Sequence, residues 1–217
     1  MTILPSLLAA DFGSLASEIQ RCADSGADEL HIDVMDAAFV PNLSFGPDAV
    51  RLATRVAPDL PRNVHLMMVH PERYLETFAS AGASTIQIHA EASCDVSAAL
   101  RRIRQLGCGA GIVLNPLSSA HSALRHASEV DEILCMTVFP GFGGQRFKTE
   151  PMPTLRDLRK ALPRMRLMVD GGIGRETLPI AAEAGADAFV AGTSLFRAPD
   201  MASEIAEFRR LYSESAG

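Results

Sequence analysis

Short apolar segments alternate with amphipathic segments along the whole chain, and this alternation limits the fold more than any other feature. The apolar segments have the length and β-branched content of buried strands, whereas the segments between them have the periodicity of helices with one apolar face. The sequence predicts strands at residues 3–9, 29–36, 64–69, 85–89, 110–115, 132–138, 167–170 and 188–192. It predicts helices at residues 14–25, 47–56, 71–81, 96–106, 119–127, 151–161, 175–184 and 202–213.

A similar glycine-containing phrase recurs where three of the predicted helices end and a strand follows. The phrase reads Ser25-Gly26-Ala27-Asp28, Ala81-Gly82-Ala83-Ser84 and Ala184-Gly185-Ala186-Asp187. Glycine adopts the left-handed conformation that ends a helix without a steric cost. We therefore expect tight turns that lead from each of these helices into the next strand.

Successive strand–helix units without a linker predict a single α/β domain over residues 1–217, folded as a (β/α)8 TIM barrel with eight parallel strands. The alternative is an open, doubly wound parallel sheet. In such an open sheet, functional residues gather at the one point where the strand order reverses. In this sequence, polar residues follow many of the predicted strands. The barrel is favoured because it brings all of those strand ends to one site.

The composition is that of a soluble globular protein, with 47% hydrophobic and 21% charged residues. A net charge of -6 gives no reason to expect a nucleic-acid partner. The N-terminal residues do not resemble a signal peptide, and no apolar run has the length of a membrane span. Cys22, Cys94, Cys108 and Cys135 show no C-x-x-C spacing. We therefore expect a cytoplasmic protein with reduced cysteines and no membrane partner.

Two histidines and two aspartates lie near predicted strand ends and suit one divalent metal ion. His31 and Asp33 share one face of a strand, and His65 and Asp170 occur near the ends of two others. Imidazole and carboxylate ligands suit Zn, Fe, Mn or Co better than Mg or Ca. The alternative is that each is an ordinary buried polar residue with hydrogen-bond partners.

Asp33 and Asp170 are also candidates for an acid and a base. They come from well-separated strands, so they can face a substrate from opposite sides. A neighbouring metal allows one to be ionised while the other is protonated near neutral pH. The alternative for Asp170 is a simple turn residue before Gly171 and Gly172.

Glycine-rich segments after the last three strands predict a phosphate site. Barrels often bind phosphate with the loops after strands seven and eight, where backbone N–H groups and helix N-termini face the anion. The loop at 142–150 is long enough to be a lid. The candidate phosphate-site residues are Gly141, Gly143, Gly144, Gly171, Gly172, Gly192 and Thr193.

Strand parity predicts further residues at the barrel mouth. Met35, Met67 and Met136 point inward and are either plain core or an apolar lining beside the reacting carbon. Ser6 lies on the inward face of strand one and is a candidate substrate contact. The only lysines, Lys148 and Lys160, are not at strand ends, which disfavours a Schiff-base aldolase or a lysine-dependent decarboxylase.

Seven segments, in order along nearly the whole chain, resemble the ribulose-phosphate 3-epimerase family. The most specific is the string after strand six. The segments are Pro5-Ser6-Leu7-Leu8-Ala9-Ala10-Asp11-Phe12, His31-Ile32-Asp33-Val34-Met35-Asp36, Phe39-Val40-Pro41-Asn42, His65-Leu66-Met67, Met136-Thr137-Val138, Pro140-Gly141-Phe142-Gly143-Gly144-Gln145 and Asp170-Gly171-Gly172.

This resemblance implies a (β/α)8 isomerase that interconverts D-ribulose 5-phosphate and D-xylulose 5-phosphate with a divalent metal, often zinc or iron. It implies a homo-oligomer, because members of the family are commonly oligomers. The metal would be held by His31, Asp33, His65 and Asp170 and would stabilise the developing enediolate. Asp33 and Asp170 would be the two bases, one removing the C3 proton and the other returning a proton to the opposite face.

By the same resemblance, the substrate would contact Ser6 and His65. Its phosphate would be bordered by Gly143, Gly144, Gly171, Gly172, Gly192 and Thr193.

Three positions depart from the family pattern. Ala37 replaces a usual glycine, Asn63 a usual aspartate, and Phe139 a usual asparagine. We expect Asn63 and Phe139 to lie near the site or in the layer of residues behind it, where they would tune ligand orientation and pocket shape. The alternatives are therefore a 3-epimerase of a ketohexose 6-phosphate or tetrulose phosphate, a non-catalytic sugar-phosphate-binding barrel, and a different phosphate-barrel lyase or isomerase.

Overall fold

The structure, a computed structural model, describes residues 1–215 and places a strand in each of the eight predicted regions. The observed strand ends differ from the predicted ones by at most two residues, except at the end of the first strand. The strands are β1 Thr2–Pro5, β2 Leu30–Met35, β3 Arg62–Met67, β4 Thr85–His89, β5 Gly109–Leu114, β6 Glu132–Met136, β7 Arg166–Asp170 and β8 Ala188–Ala191.

The eight strands form one parallel sheet in the order β1-β8-β7-β6-β5-β4-β3-β2. The two outermost strands of this order, β1 and β2, meet at a bridge between Ser6 and His31, which nearly closes the sheet on itself. The predicted (β/α)8 barrel is therefore confirmed, and the doubly wound alternative is wrong. All carboxyl ends of the strands lie at the same mouth of the barrel.

Helices follow the strands and cover the outer surface of the sheet. Among residues 1–215, none of these helices combines the length and apolar character that a membrane crossing requires. The helices are α1 Leu15–Asp24, α2 Pro47–Val56, α3 Leu75–Ala81, α4 Val96–Gln105, α5 His121–Leu124, α6 Met152–Ala161, α7 Leu178–Glu183, α8 Thr193–Phe196 and α9 Met201–Ser215.

Side-chain alternation along the strands separates the core into two layers. In β6, Ile133 and Cys135 belong to the large cluster between the sheet and the helices. Leu134 and Met136, one residue further in each case, belong to a smaller cluster inside the barrel. The other members of the inner cluster are Leu4, Val113, Val138, Met168, Ala188 and Val190.

The predicted glycine turns are present. Gly82 follows α3 with φ +106°, and Gly26 and Gly185 are also left-handed, with φ +79° and +108°. A Cβ atom at Gly82 would lie 2.3 Å from Oγ1 of Thr54 in α2. At this turn glycine is therefore required both by the backbone angle and by the close approach of the neighbouring helix.

The first strand is shorter than predicted. It ends at Pro5, and Ser6 then caps a one-turn 3-10 helix at Leu7–Ala9, where its side chain accepts a hydrogen bond from the N–H of Leu8. The prediction of residues 3–9 was wrong at this end because Leu7 and Leu8 continue the apolar run. Apolar character marks burial and does not distinguish a buried strand from a buried turn.

Three predicted helices are also shorter or interrupted. The segment 71–81 divides into a 3-10 turn at Pro71–Arg73 and the helix α3, the segment 119–127 contains only α5, and α7 begins three residues later than predicted. The short helix α8 was not predicted, because a helix of one turn has no sequence period to detect.

Candidate active site

The barrel brings together the four residues predicted as metal ligands. His31 and Asp33 lie on β2, His65 on β3 and Asp170 at the end of β7. Each is on the inward-facing side of its strand, and each offers one ligand atom within 4.8 Å of those of the others. The residues come from positions up to 139 apart in the chain (170 minus 31), so only closure of the barrel makes them neighbours.

The distances among these atoms fit a shared ion. Oδ1 of Asp33 is 3.2 Å from Nε2 of His31 and 3.2 Å from Nδ1 of His65, and Oδ2 of Asp170 is 3.9 Å from Nε2 of His31. Two ligand atoms about 2.1 Å from one Zn²⁺ at a tetrahedral angle are about 3.4 Å apart. Nε2 of His31, the ring nitrogen that faces both aspartates, is buried without a well-formed hydrogen bond, as expected of a ligand atom whose partner is a cation.

The two histidines of this cluster have opposite shifts of their pKa. Burial disfavours the imidazolium of His31, but the adjacent carboxylate of Asp33 outweighs it and raises the pKa of His31 to about 9. Burial dominates at His65 and lowers its pKa to about 4. His65 is therefore a neutral imidazole, which is the form that binds a metal.

The two aspartates also differ in pKa. Burial favours the neutral acid of Asp33, yet the charge of His31 and hydrogen bonds with His31 and His65 hold its pKa well below the usual range. At Asp170, burial and the carboxylate of Asp33 raise the pKa to about 7. The protein's own groups thus favour the ionised form of Asp33 and the neutral form of Asp170, a division suited to acid–base chemistry.

Ser6 fixes the orientation of one of these carboxyl groups. Its hydroxyl donates a 2.6 Å hydrogen bond to Oδ2 of Asp33, so that Oδ1 is left facing the two histidines. The turn after β1 places Ser6 at the barrel mouth, and its backbone forms the bridge to His31. Because β1 ends at Pro5, the turn that follows it can place the Ser6 hydroxyl against Asp33.

A cavity of about 370 Å³ opens above the carboxylates at the carboxyl ends of the strands. The imidazoles of His31 and His65 are fully buried and do not line it. Every other predicted site residue does line the cavity: Ser6, Asp33, Met35, Met67, Met136, Gly141, Gly143, Gly144, Asp170, Gly171, Gly172, Gly192 and Thr193.

Glycine allows the loops at one side of this cavity to pack closely against each other. Gly172 follows β7 with φ +66°, and a Cβ atom there would lie 2.4 Å from the backbone nitrogen of Phe147. Gly192 precedes α8, whose first residue is Thr193, and Gly144 approaches Thr193 from the loop after β6. The loops after β6, β7 and β8 therefore meet around one space, as the sequence predicted.

Sequence reasoning missed several residues of the site. Ser194, on α8, lines the cavity, as do Leu8, Ala9, Val138 and Ile173. His89, at the end of β4, contacts His65 and was also missed. A signal for His89 is present, since His89-Ala90-Glu91 repeats the pairing of a histidine with an acid two residues later seen at His31 and Asp33.

Two of the three departures from the family pattern lie away from the cavity. Asn63 is buried lower in the barrel, where it donates a 2.7 Å hydrogen bond to Oε1 of Glu132. Phe139 is half exposed and lies against the amino group of Lys148. Neither side chain lines the cavity, so neither shapes it by direct contact, but the carbonyl of Phe139 accepts a hydrogen bond from Gln145, which does line it. Ala37 has a left-handed backbone, with φ +59°.

Comparison with known proteins shows the family to which the chain belongs. The model of the ribulose-phosphate 3 epimerase family matches residues 2–196. The chain is 41% identical over 212 residues to ribulose-phosphate 3-epimerase of Bacillus subtilis, covering 95% of this chain and 97% of that one. It is 45% identical over 219 residues to the enzyme of the same name from Synechocystis, covering 96% and 93%. The chain belongs to the ribulose-phosphate 3-epimerase family, and it is accordingly an isomerase.

Solved structures at lower identity share the fold. KGPDC from Streptococcus mutans in complex with D-R5P superposes with a TM-score of 0.76 at 14% identity, covering 99% of this chain and 98% of that one. 3-hexulose-6-phosphate synthase from Salmonella typhimurium gives 0.74 at 17% identity, covering 99% and 100%. These likenesses support the barrel architecture and carry no inference about the reaction.

Proposed function

We propose that the protein interconverts D-ribulose 5-phosphate and D-xylulose 5-phosphate by moving a proton at C3. The observation that carries this proposal is the pair Asp33 and Asp170, brought from β2 and β7 to one cavity beside two buried imidazoles. Inversion at a carbon needs proton transfer on both of its faces, and two carboxyl groups from different strands meet that need.

In the proposed reaction one of the two aspartates removes the C3 proton, and the electron pair of the C3–H bond passes to the C2 carbonyl. The other aspartate delivers a proton to the opposite face of C3, which restores the carbonyl and inverts the centre. In the reverse direction the two groups exchange roles. Ser6 holds the carboxylate of Asp33 in a fixed orientation throughout, which preserves the alignment of its reacting oxygen.

We propose that His31, Asp33, His65 and Asp170 hold one divalent cation, with Zn or Fe favoured and Mn or Co as alternatives. When bound, such a cation supplies Lewis-acid stabilisation of the negative charge that develops on the substrate oxygens. The distances among the four groups and the unpartnered Nε2 of His31 support this assignment.

The rest of the cavity suits the remainder of the substrate. Met35, Met67 and Met136 give the floor an apolar surface beside the reacting carbon. We propose that the phosphate lies between Gly171–Gly172, the start of α8 at Gly192 and Thr193, and the loop after β6 with Gly141, Gly143 and Gly144. Residues 142–150 would close over it as a lid that excludes water.

Exchange of the C3 proton with solvent deuterium tests the proposed reaction. We expect Asp33→Asn and Asp170→Asn each to reduce epimerisation by about 100-fold or more, because each removes one of the two proton-transfer groups. Exchange should persist only for the epimer whose C3 proton faces the remaining aspartate. Asp48→Asn, the same change on an exposed carboxylate of α2, should retain the parental rate. Substantial epimerisation in either site variant, with an unchanged metal content, would contradict the two-base mechanism.

A panel of four-, five- and six-carbon ketose phosphates tests the substrate. We expect the highest kcat/KM for the five-carbon pair. Preference for a ketohexose 6-phosphate or a tetrulose phosphate would show that the same chemistry acts on another substrate. Binding without exchange would support the non-catalytic barrel.

We further propose a cytoplasmic homo-oligomer in which residues 1–217 form one domain. All four cysteines are free thiols, which suits a reducing compartment. Leu43 and Leu117 are 71% and 77% exposed, and exposed large apolar side chains of this kind are suited to contacts between subunits. The mass in solution, measured by light scattering, tests the oligomer.

A further inference from the structure

The imidazole of His89 is fully buried and has no role in the proposed proton transfers. Its Nε2 lies 2.9 Å from Nε2 of His65, and the two rings stack with their centroids 5.0 Å apart. Its Nδ1 lies 3.3 Å from Oε2 of Glu91. His89 therefore connects a proposed metal ligand on β3 to a carboxylate in the loop after β4.

Glu91 is itself held in place by two donors from the segment after β5. The backbone N–H of Asn115 donates to Oε1 at 3.4 Å, and the hydroxyl of Ser118 donates to the same oxygen. Burial would favour the neutral acid, but hydrogen bonds from His89 and Ser118 lower the pKa of Glu91. Its second oxygen, Oε2, is an acceptor directed at His89.

The contact between the two Nε2 atoms requires one proton. Without a proton, two lone pairs would face each other at 2.9 Å, and with two protons, the N–H groups would collide. The proton therefore lies either on His65 or on His89. In the first arrangement the single ring proton of His89 lies on Nδ1. In the second arrangement that proton lies on Nε2, and Nδ1 of His89 has none.

Two carboxylates oppose each other over this proton: Asp33, whose Oδ1 lies 3.2 Å from Nδ1 of His65, favours a proton on that atom, whereas Glu91 favours a proton on Nδ1 of His89. A cation bound between Asp33 and Nδ1 of His65 would remove the demand of Asp33, and Glu91 then decides between the two arrangements. A carboxylate has only lone pairs to offer, so it requires a proton on Nδ1 of His89. That leaves Nε2 of His89 as an acceptor, and His65 must donate to it from its own Nε2. The Nδ1 of His65 is then free of a proton, and this is the atom that lies 3.2 Å from Asp33 in the proposed metal site.

We propose that Glu91 and His89 are positioning residues that hold His65 in the tautomer whose Nδ1 lone pair faces the metal site. The inference rests on the metal site of the proposed function and extends it to two residues that the sequence analysis did not select. Partners of this kind, which hydrogen-bond the second nitrogen of a ligating histidine, fix its ring and raise its basicity.

The variant Glu91→Gln reverses the hydrogen-bond direction without changing the shape of the side chain. The N–H of Asn115 can only donate, so the glutamine carbonyl takes the position of Oε1 and its NH2 group faces His89. His89 must then accept on Nδ1 and donate from Nε2, which moves the proton of His65 to Nδ1. We expect the Zn²⁺ affinity, measured by competition with a chromophoric chelator, to fall by about 10- to 100-fold.

A second measurement reads the tautomers directly in the metal-free protein. Chemical shifts of 15N-labelled histidines distinguish protonated from bare ring nitrogens. Because Glu91 opposes Asp33 in the metal-free parent, we expect a measurable fraction of molecules with the protons on Nε2 of His65 and Nδ1 of His89. In Glu91→Gln, where Asp33 is unopposed, we expect only the form with the protons on Nδ1 of His65 and Nε2 of His89. Equal thermal unfolding of the two proteins would separate this effect from a loss of fold.

Two matched variants serve as controls. Ser118→Ala removes a donor to Glu91 but leaves the carboxylate facing His89, and Glu76→Gln makes the same charge change at an exposed residue of α3. Both should keep the parental tautomers and a Zn²⁺ affinity within about twofold of the parent.

The results distinguish this inference from the proposed function. A parent that binds no divalent metal would contradict the proposed metal site, whereas the tautomers would still support or overturn the role of Glu91. If Glu91→Gln keeps the tautomers and the Zn²⁺ affinity of the parent, the positioning role is overturned.

Discussion

Ala37 has a backbone conformation that alanine rarely adopts. Its φ of +59° makes it the one non-glycine residue with a positive φ among residues 1–215. The conformation is imposed by its surroundings, since the N–H of Ala37 donates to the carbonyl of Asn42, and Asp36 accepts the N–H groups of Ala38 and Phe39. The usual glycine of the family at this position thus has a local physical reason.

We expect Ala37→Gly to raise the free energy of unfolding by up to about 1 kcal/mol. Relief of the left-handed strain, about 1–2 kcal/mol, exceeds the entropy that glycine adds to the unfolded chain, about 0.5–1 kcal/mol. The adjacent variant Ala38→Gly should lower stability, because it has the entropic effect without the relief. Urea unfolding at unchanged m-value measures both, and a destabilised Ala37→Gly would contradict this account.

Residue-level patterns predicted most of the site because histidines and acids are conspicuous on otherwise apolar strands. His31, Asp33, His65 and Asp170 were selected in this way, and the barrel places their ligand atoms together. His89 was missed although it has the same surroundings. Nothing in a sequence shows that the ring of one histidine meets that of another, because the contact depends on the register of β3 against β4.

At the scale of elements, the turns between helices and strands set how closely neighbouring helices pack. Gly82 ends α3 and lies against Thr54 of α2, whose hydroxyl donates to the carbonyl of Ala81. Gly26 ends α1 with a similar left-handed backbone but has no atom within 4 Å of where a Cβ would be. The same sequence phrase therefore serves two different packing environments.

We expect Gly82→Ala to be more destabilising than Gly26→Ala. Both place alanine in a left-handed conformation, which costs about 1–2 kcal/mol, but only the first also forces Thr54 to move. We expect a loss of about 2–3 kcal/mol for Gly82→Ala and about 1 kcal/mol for Gly26→Ala in chemical unfolding. Equal losses at the two positions would show that contact with Thr54 is unimportant.

At the scale of the whole molecule, the barrel interior is polar at both ends and apolar between them. The lower end holds Glu132, which accepts hydrogen bonds from Asn63 and Gln87 and pairs with Arg166 at 3.2 Å. Arg166 also pairs with Glu29 at 2.7 Å. This cluster closes the end of the barrel opposite the cavity, and so has the position of a stabilising rather than a catalytic group.

We expect Arg166→Met to lower the free energy of unfolding by about 3–5 kcal/mol at neutral pH, because it leaves Glu132 buried without its positive partner. Burial already raises the pKa of Glu132 above its usual range, against the opposing effect of Arg166. A carboxyl whose pKa is raised in the folded state favours folding below its unfolded pKa and loses that contribution as pH rises through the folded value.

The loss in Arg166→Met should therefore be smaller in acid and larger at neutral pH, as measured by urea unfolding across that range. The double variant Arg166→Met with Glu132→Gln is the control, because it lacks the titrating group and should not show this dependence. A loss in Arg166→Met that does not change with pH would exclude Glu132 as its cause.

Local sequence patterns were enough to predict the order of strands and helices, the inward-facing side of each strand and the residue types at the strand ends. These features depend on periodicity, and periodicity is local. Three features follow only from the folded barrel: the closure between β1 and β2, the end of the first strand at Pro5, and the contacts that connect His65 through His89 to Glu91. These depend on which strands become neighbours and in which register, and that choice is made by packing of the whole barrel rather than by any one segment.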